Sequence, residues 1–163
     1  MILVGEHAVV YGHPAIAFAV DRGTRAEVTA IDAPLEIVGA HDDRLRAGLL
    51  ALCGHGWHVR IEGDLPIGRG MGSSAALAVA VARAISHARG DDSDVEQIYE
   101  MAMRAERHFH GDPSGLDVAV SARGGAMWFK RGTPPSIEPL LLPQLTIVVL
   151  DSGKPGDTAQ QVE

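Results

Sequence analysis

The residues with the most chemistry in this 163-residue sequence are a glycine run ending in two serines and, further along, two carboxylates. Gly68, Gly70 and Gly72 alternate through Asp64-Leu-Pro-Ile-Gly-Arg-Gly-Met-Gly-Ser-Ser-Ala-Ala76, and Ser73 and Ser74 open an Ala/Val-rich segment. Glycine lets backbone N–H groups turn inward and approach a ligand closely. A helix starting at the serines adds unpaired N–H groups and the positive end of its dipole. That combination suits an anion, phosphate above all. A tight turn with Ser73 as an ordinary N-cap uses the same residues. The Ser74 hydroxyl, in the first turn, is in reach of a magnesium ion held against phosphates, or else caps the helix. Glu106 and Asp117 flank the turn-rich His110-Gly-Asp-Pro-Ser-Gly115. Phosphoryl transfer needs a carboxylate to hold magnesium, and often another to receive the proton of the attacking hydroxyl. As isolated acids, both also read as solvated surface groups.

Several other chemistries fit the spacing poorly. No Gly-Lys-Ser/Thr follows the glycines, so they are not a P-loop. Asp91-Asp92 and a further helix stand where a dinucleotide fold needs a second parallel strand. The hydrolase pattern Gly-x-Ser-x-Gly is absent, because Ala75 and Ala76 lie two residues after Ser73 and Ser74. His108, His110 and Asp112 match no strong zinc spacing.

The elements that must position these groups follow from pattern. Ala15 to Val20, Thr24 to Ile31 and Leu35 to Val38 read as strands, and Asp43 to Cys53 as a helix stopped by Gly54. Trp57, Val59 and Ile61 alternate with polar neighbours, a half-buried strand that feeds the glycine loop. Ser73 to Arg89 is small and apolar nearly all round, so a buried helix is expected. Ser93 and Glu96 form a capping-box pattern ahead of a helix running to about Arg107. Leu116 to Ala122 reads as a short helix, Ala126 to Phe129 and Thr146 to Leu150 as strands, and Asp157 to Val162 as the start of a helix. Pro134-Pro135 and Pro143 mark loops. Helices and strands without regular βαβ alternation favour an α+β fold.

Composition narrows the setting. With 4% aromatics, Ala, Val, Leu and Ile must fill the core, and a net charge of −7 offers no basic surface for nucleic acid. The single Cys53 fits a reducing compartment, and neither a signal peptide nor a bilayer-spanning run is visible. A cytoplasmic protein without a membrane partner is expected.

Three stretches together resemble the successive signatures of the GHMP small-molecule kinases: Gly5-Glu-His-Ala-Val-Val-Tyr-Gly12, Pro66-Ile-Gly-Arg-Gly-Met-Gly-Ser-Ser-Ala-Ala76 and Glu106-Arg-His-Phe-His-Gly-Asp-Pro-Ser-Gly-Leu-Asp117. The first and third are most similar to the mevalonate kinase branch. The resemblance implies an α+β N-terminal domain spanning residues 1–163, a mixed or antiparallel sheet with helices packed on one face. It implies ATP and Mg²⁺ as cofactors and mevalonate as the small-molecule substrate, and it allows a homodimer. By resemblance Pro66, Gly68, Arg69, Gly70, Met71, Gly72, Ser73 and Ser74 cradle the ATP phosphates. Ser74 and Glu106 coordinate Mg²⁺, and Asp117 is the base that takes the proton from the C5 hydroxyl. Glu6, His7, Ser114 and Thr158 line the substrate side. In the family a Pro-Gly-Lys precedes the first stretch, so its lysine would fall immediately before Met1. A C-terminal domain with a further glycine-rich loop is also expected to lie outside this chain. Another GHMP kinase, acting on phosphomevalonate or a sugar, and a non-catalytic nucleotide-binding module are the competing readings.

Overall fold

The computed structural model describes residues 1–39, 43–64, 71–143, 146 and 148. Strand β1 (Ile2–Val4) leads through a one-turn 3-10 helix (Ala8–Tyr11) to β2 (Pro14–Phe18), β3 (Thr24–Ala30) and β4 (Glu36–Val38). Then come α1 (Asp43–Cys53), β5 (Trp57–Gly63), α2 (Ser73–Arg89), α3 (Val95–His110), α4 (Leu116–Arg123), β6 (Ala126–Lys130) and β7 (Ser136–Leu140). Among the described residues the strands form two sheets. One is antiparallel with order β1-β2-β6-β7, and the other has order β3-β5-β4. β5 pairs antiparallel to β3 and parallel to β4, which makes the second sheet mixed. The α+β expectation holds, with two sheets in place of one.

The helices form where the sequence stops competing with them. α2 ends at Gly90, whose N–H closes on His87 and Ser86 carbonyls in the left-handed conformation. Leu77, Val79, Val81 and Ile85 on α2 are buried, and burial of each such side chain contributes about 1.5–3 kcal/mol. α2 packs against β3 and beside α3 and α4, while α4 reaches β2 and β6. Phe129, Leu35, Leu49, Ile85 and Leu116 are the largest fully enclosed side chains, so aliphatic residues do fill most of the core.

α1 crosses α3 at close range. A Cβ added at Gly48 would overlap the Phe109 ring. Phe109 in turn stands edge-on to His110, with ring centroids 6.4 Å apart and an interplanar angle of 88°.

Several boundaries move. The capping box of α3 sits one residue later than the Ser93–Glu96 spacing suggests. Asp94 adopts extended backbone, its carboxylate accepts from Gln97 N at 2.8 Å, and Gln97 Oε1 accepts from Asp94 N at 2.9 Å. α3 also continues past Arg107 to His110, where Gly111 ends it. β2 and β3 stop short, at Phe18 and Ala30. β7 was not expected beside the prolines, but among the described residues it is an edge strand, the position in a sheet that tolerates a proline such as Pro139. The strand read over Thr146 to Leu150 lies outside the described residues except at 146 and 148, and the helix start at 157–162 lies wholly outside them.

Candidate active site

Three helix ends meet at one place. α2 begins at Gly72, which takes a left-handed φ of +69° and supplies the carbonyl that accepts from Ala76 N at 3.0 Å. Ser73 and Ser74 are the first two residues of that helix. α3 delivers Glu106 and His110 from successive turns of its C-terminal end, as their i,i+4 spacing requires. α4 begins at Gly115, again left-handed at φ +84°, and carries Asp117 as its second residue. A side chain at Gly115 would run into the Tyr99 hydroxyl, so the turn can seat this closely on α3 only with glycine there.

The side chains converge accordingly. Ser74 Oγ and His110 Nε2 are 3.1 Å apart, and the same His110 nitrogen lies 3.8 Å from Glu106 Oε2. Gly72 faces Asp117 directly, since a Cβ built on it would stand 3.2 Å from Asp117 Oδ1. Glu106 is buried to 4% exposure, and its Oε1 has no hydrogen-bond partner among the described residues. Burial pushes its carboxyl from 4.5 up to about 7, with the Ser74 hydroxyl opposing and the Asp117 charge adding. Asp117 is also pushed up, first by burial; the Met1 amine and His110 hold it down, and the Glu6 charge raises it further. Burial lowers His110, and Asp117 partly offsets this.

Of the residues singled out in the sequence, Met71, Gly72, Ser73, Ser74, Glu106 and Asp117 are gathered here. Glu6 and His7 lie on the exposed lip just ahead of the 3-10 helix, 3.9 Å from each other, and Glu6 is within electrostatic range of Asp117. Ser114 has a local job: its Oγ accepts from Leu116 N, the first N–H of α4, at 3.3 Å. Pro66, Gly68, Arg69, Gly70 and Thr158 lie outside the described residues. The His108, His110 and Asp112 grouping does not assemble; among the described residues no three such side chains are placed to hold a metal. Asp112 pairs instead with Arg131.

His110 is the site residue to which the sequence assigned no part. Its spacing of four from Glu106 on an expected helix was the available signal, and the contact with Ser74, 36 residues away, was not. A deeply buried carboxylate oxygen without a donor, beside a serine hydroxyl, fits a hard cation such as Mg²⁺. That ion is commonly held by one or two protein oxygens together with substrate phosphates.

Residues 37–125 match the family described as GHMP kinases N terminal domain, which is more than half of the chain. The chain is 34% identical over its whole length to the mevalonate kinase of Aeropyrum pernix and spans 58% of that protein. It is 33% identical over 99% of its length to the mevalonate kinase of Pyrococcus horikoshii and spans 57% of it. The crystal structure of L. major mevalonate kinase in complex with R-mevalonate superposes with a TM-score of 0.72 at 27% identity, covering 88% of this chain and 50% of that one. The fold, the convergence of Ser74, Glu106 and Asp117, and a family match running through all three helix ends agree: this chain belongs to the GHMP kinase family.

Proposed function

We propose that this chain forms the nucleotide- and substrate-binding part of an ATP-dependent kinase that phosphorylates the C5 hydroxyl of mevalonate. The observation that carries this reading is the pair of shielded carboxyls, Glu106 and Asp117, set against the N-terminal turn of α2. They suit different tasks. Glu106, with Ser74, would hold Mg²⁺, which supplies positive charge against the phosphoryl oxygens when bound. Asp117 would take the hydroxyl proton, and its raised pKa brings it nearer the range in which a general base works at neutral pH. The N–H groups at the start of α2, with the glycine-rich residues 66–72 ahead of them, would receive the phosphates. Glu6, His7, Ser114 and Thr158 are the substrate-side candidates. The mevalonate kinase relatives, at about one-third identity along the whole chain, support the choice of substrate. No helix among the described residues is long and apolar enough to cross a membrane. The lone thiol and the need for ATP fit a cytoplasmic setting.

The test is mevalonate-stimulated ADP release by the protein that carries this chain, with Asp117→Asn alongside. Loss of the base should cut turnover by about 10²–10⁴-fold while leaving ATP binding intact. Stimulation by phosphomevalonate or a sugar but not by mevalonate would sink the substrate assignment, and undiminished turnover in Asp117→Asn would remove the base.

A further inference from the structure

Arg131 stands directly after β6 and belongs to none of the three motifs. Its Nη1 donates to the Val10 carbonyl oxygen at 3.0 Å, across 121 residues of sequence. Its Nη2 donates to Asp112 Oδ1, in the turn between α3 and α4. One planar guanidinium thus grips the 3-10 helix with one arm and the α3–α4 turn with the other. Glu6 and His7 lie immediately before that 3-10 helix, and Ser114 and Asp117 lie just beyond Asp112 on the other side.

We propose that Arg131 is a positioning residue that ties the Gly5–Gly12 segment to the α3–α4 turn and so fixes where Glu6 and His7 stand relative to the Asp117 carboxylate. The charge attraction itself is a small part of this, because Asp112 is 78% exposed and water screens the pair. Direction is the larger part. The guanidinium N–H groups diverge in one rigid plane, so two acceptors bonded to it are held at a set separation. A lysine ammonium is a point charge on a flexible stem and does not hold two acceptors at a set separation. The use made of Glu6 and His7 rests on the kinase reading above, whereas the tie between the two segments does not.

Two readouts on wild type, Arg131→Ala, Arg131→Lys and Asp112→Asn decide the matter. The first is amide hydrogen exchange without ligand. Arg131→Ala should speed exchange about fivefold in residues 9–13 and in residues 111–116, a loss the size of one net hydrogen bond at each. Arg131→Lys should resemble it, and Asp112→Asn should affect the turn more than the 3-10 helix. The second is steady-state kinetics of the protein that carries this chain. Arg131→Ala should raise the KM for mevalonate about five- to tenfold, with the KM for ATP and kcat within about twofold of wild type. Unchanged exchange in either segment overturns the proposal, as does acceleration spread over the whole chain, or an equal rise in both KM values. If the exchange pattern holds but wild type shows no mevalonate-dependent turnover, the tie stands and the substrate reading fails.

Discussion

Glu106→Gln should stabilise the metal-free chain at pH 8 and cost it about 1 kcal/mol at pH 4, where the carboxyl is already neutral. In the folded protein burial raises this carboxyl from 4.5 to about 7. Between those values the folded state keeps a proton that the unfolded chain has given up. Its contribution is therefore most favourable below pH 4.5 and is lost as pH rises toward 7. At 1.36 kcal/mol per pKa unit the full cost above pH 7 is about 3 kcal/mol. Glutamine cannot ionise, so it removes that cost. An imperfectly bonded buried amide returns about 1 kcal/mol of it. The net gain at pH 8 is about 2 kcal/mol, or roughly 4–8 °C in Tm for a chain of this length. Thermal unfolding followed by circular dichroism in EDTA, from pH 4 to 8, measures it. Asp117 titrates in both proteins and largely cancels in the difference. With Glu106 as the proposed magnesium ligand, adding Mg²⁺ with ADP should then stabilise wild type more at pH 8 than at pH 5, where the carboxyl is protonated, and should do little for Glu106→Gln. Parallel stability profiles for the two proteins across this range would refute the reasoning.

Gly72→Ala places a methyl 3.2 Å from Asp117 Oδ1 at a φ of +69°. It should lose about 1–2 kcal/mol of stability and at least about tenfold in turnover, measured by urea unfolding and ADP release. Gly115→Ala sets a methyl into the Tyr99 hydroxyl at a φ of +84°, and about 2 kcal/mol or more of destabilisation is expected. Tyr99→Phe in the same chain should restore part of that loss, and no recovery would mean the clash is not the cause. Asp94→Ala removes the capping box of α3 and should lower stability by about 1 kcal/mol in denaturant titration, with substrate affinities unchanged.

Local rules made much of this fold legible. α1 and α2 have the boundaries that periodicity and the following glycines imply, because a left-handed glycine ends a helix whatever the tertiary context. The start of α3 slipped by one residue because Ser93-x-x-Glu96 and Asp94-x-x-Gln97 are overlapping boxes. Only the backbone, extended at Asp94, selects between them. β7 was hidden by its prolines, which an edge strand tolerates and a central one does not. At the site, Ser74, Glu106 and Asp117 were readable from residue type and motif order. The His110 contact to Ser74 and the Arg131 bridge to Val10 were not, since they join residues 36 and 121 positions apart and leave no local pattern.

The close crossing of α1 over α3 gives Gly48 an influence out of proportion to its size. Phe109 fills the space that a side chain at 48 would take, and the residue after Phe109 is the histidine that touches both Ser74 and Glu106. A methyl at 48 must push that ring, which stands edge-on to His110 at the end of α3. A smaller residue at 109 would relieve only part of the crowding, because a methyl at 48 also meets the Ala105 carbonyl oxygen at 3.1 Å. A helix that contributes no group to the chemistry still has a say in where the histidine sits.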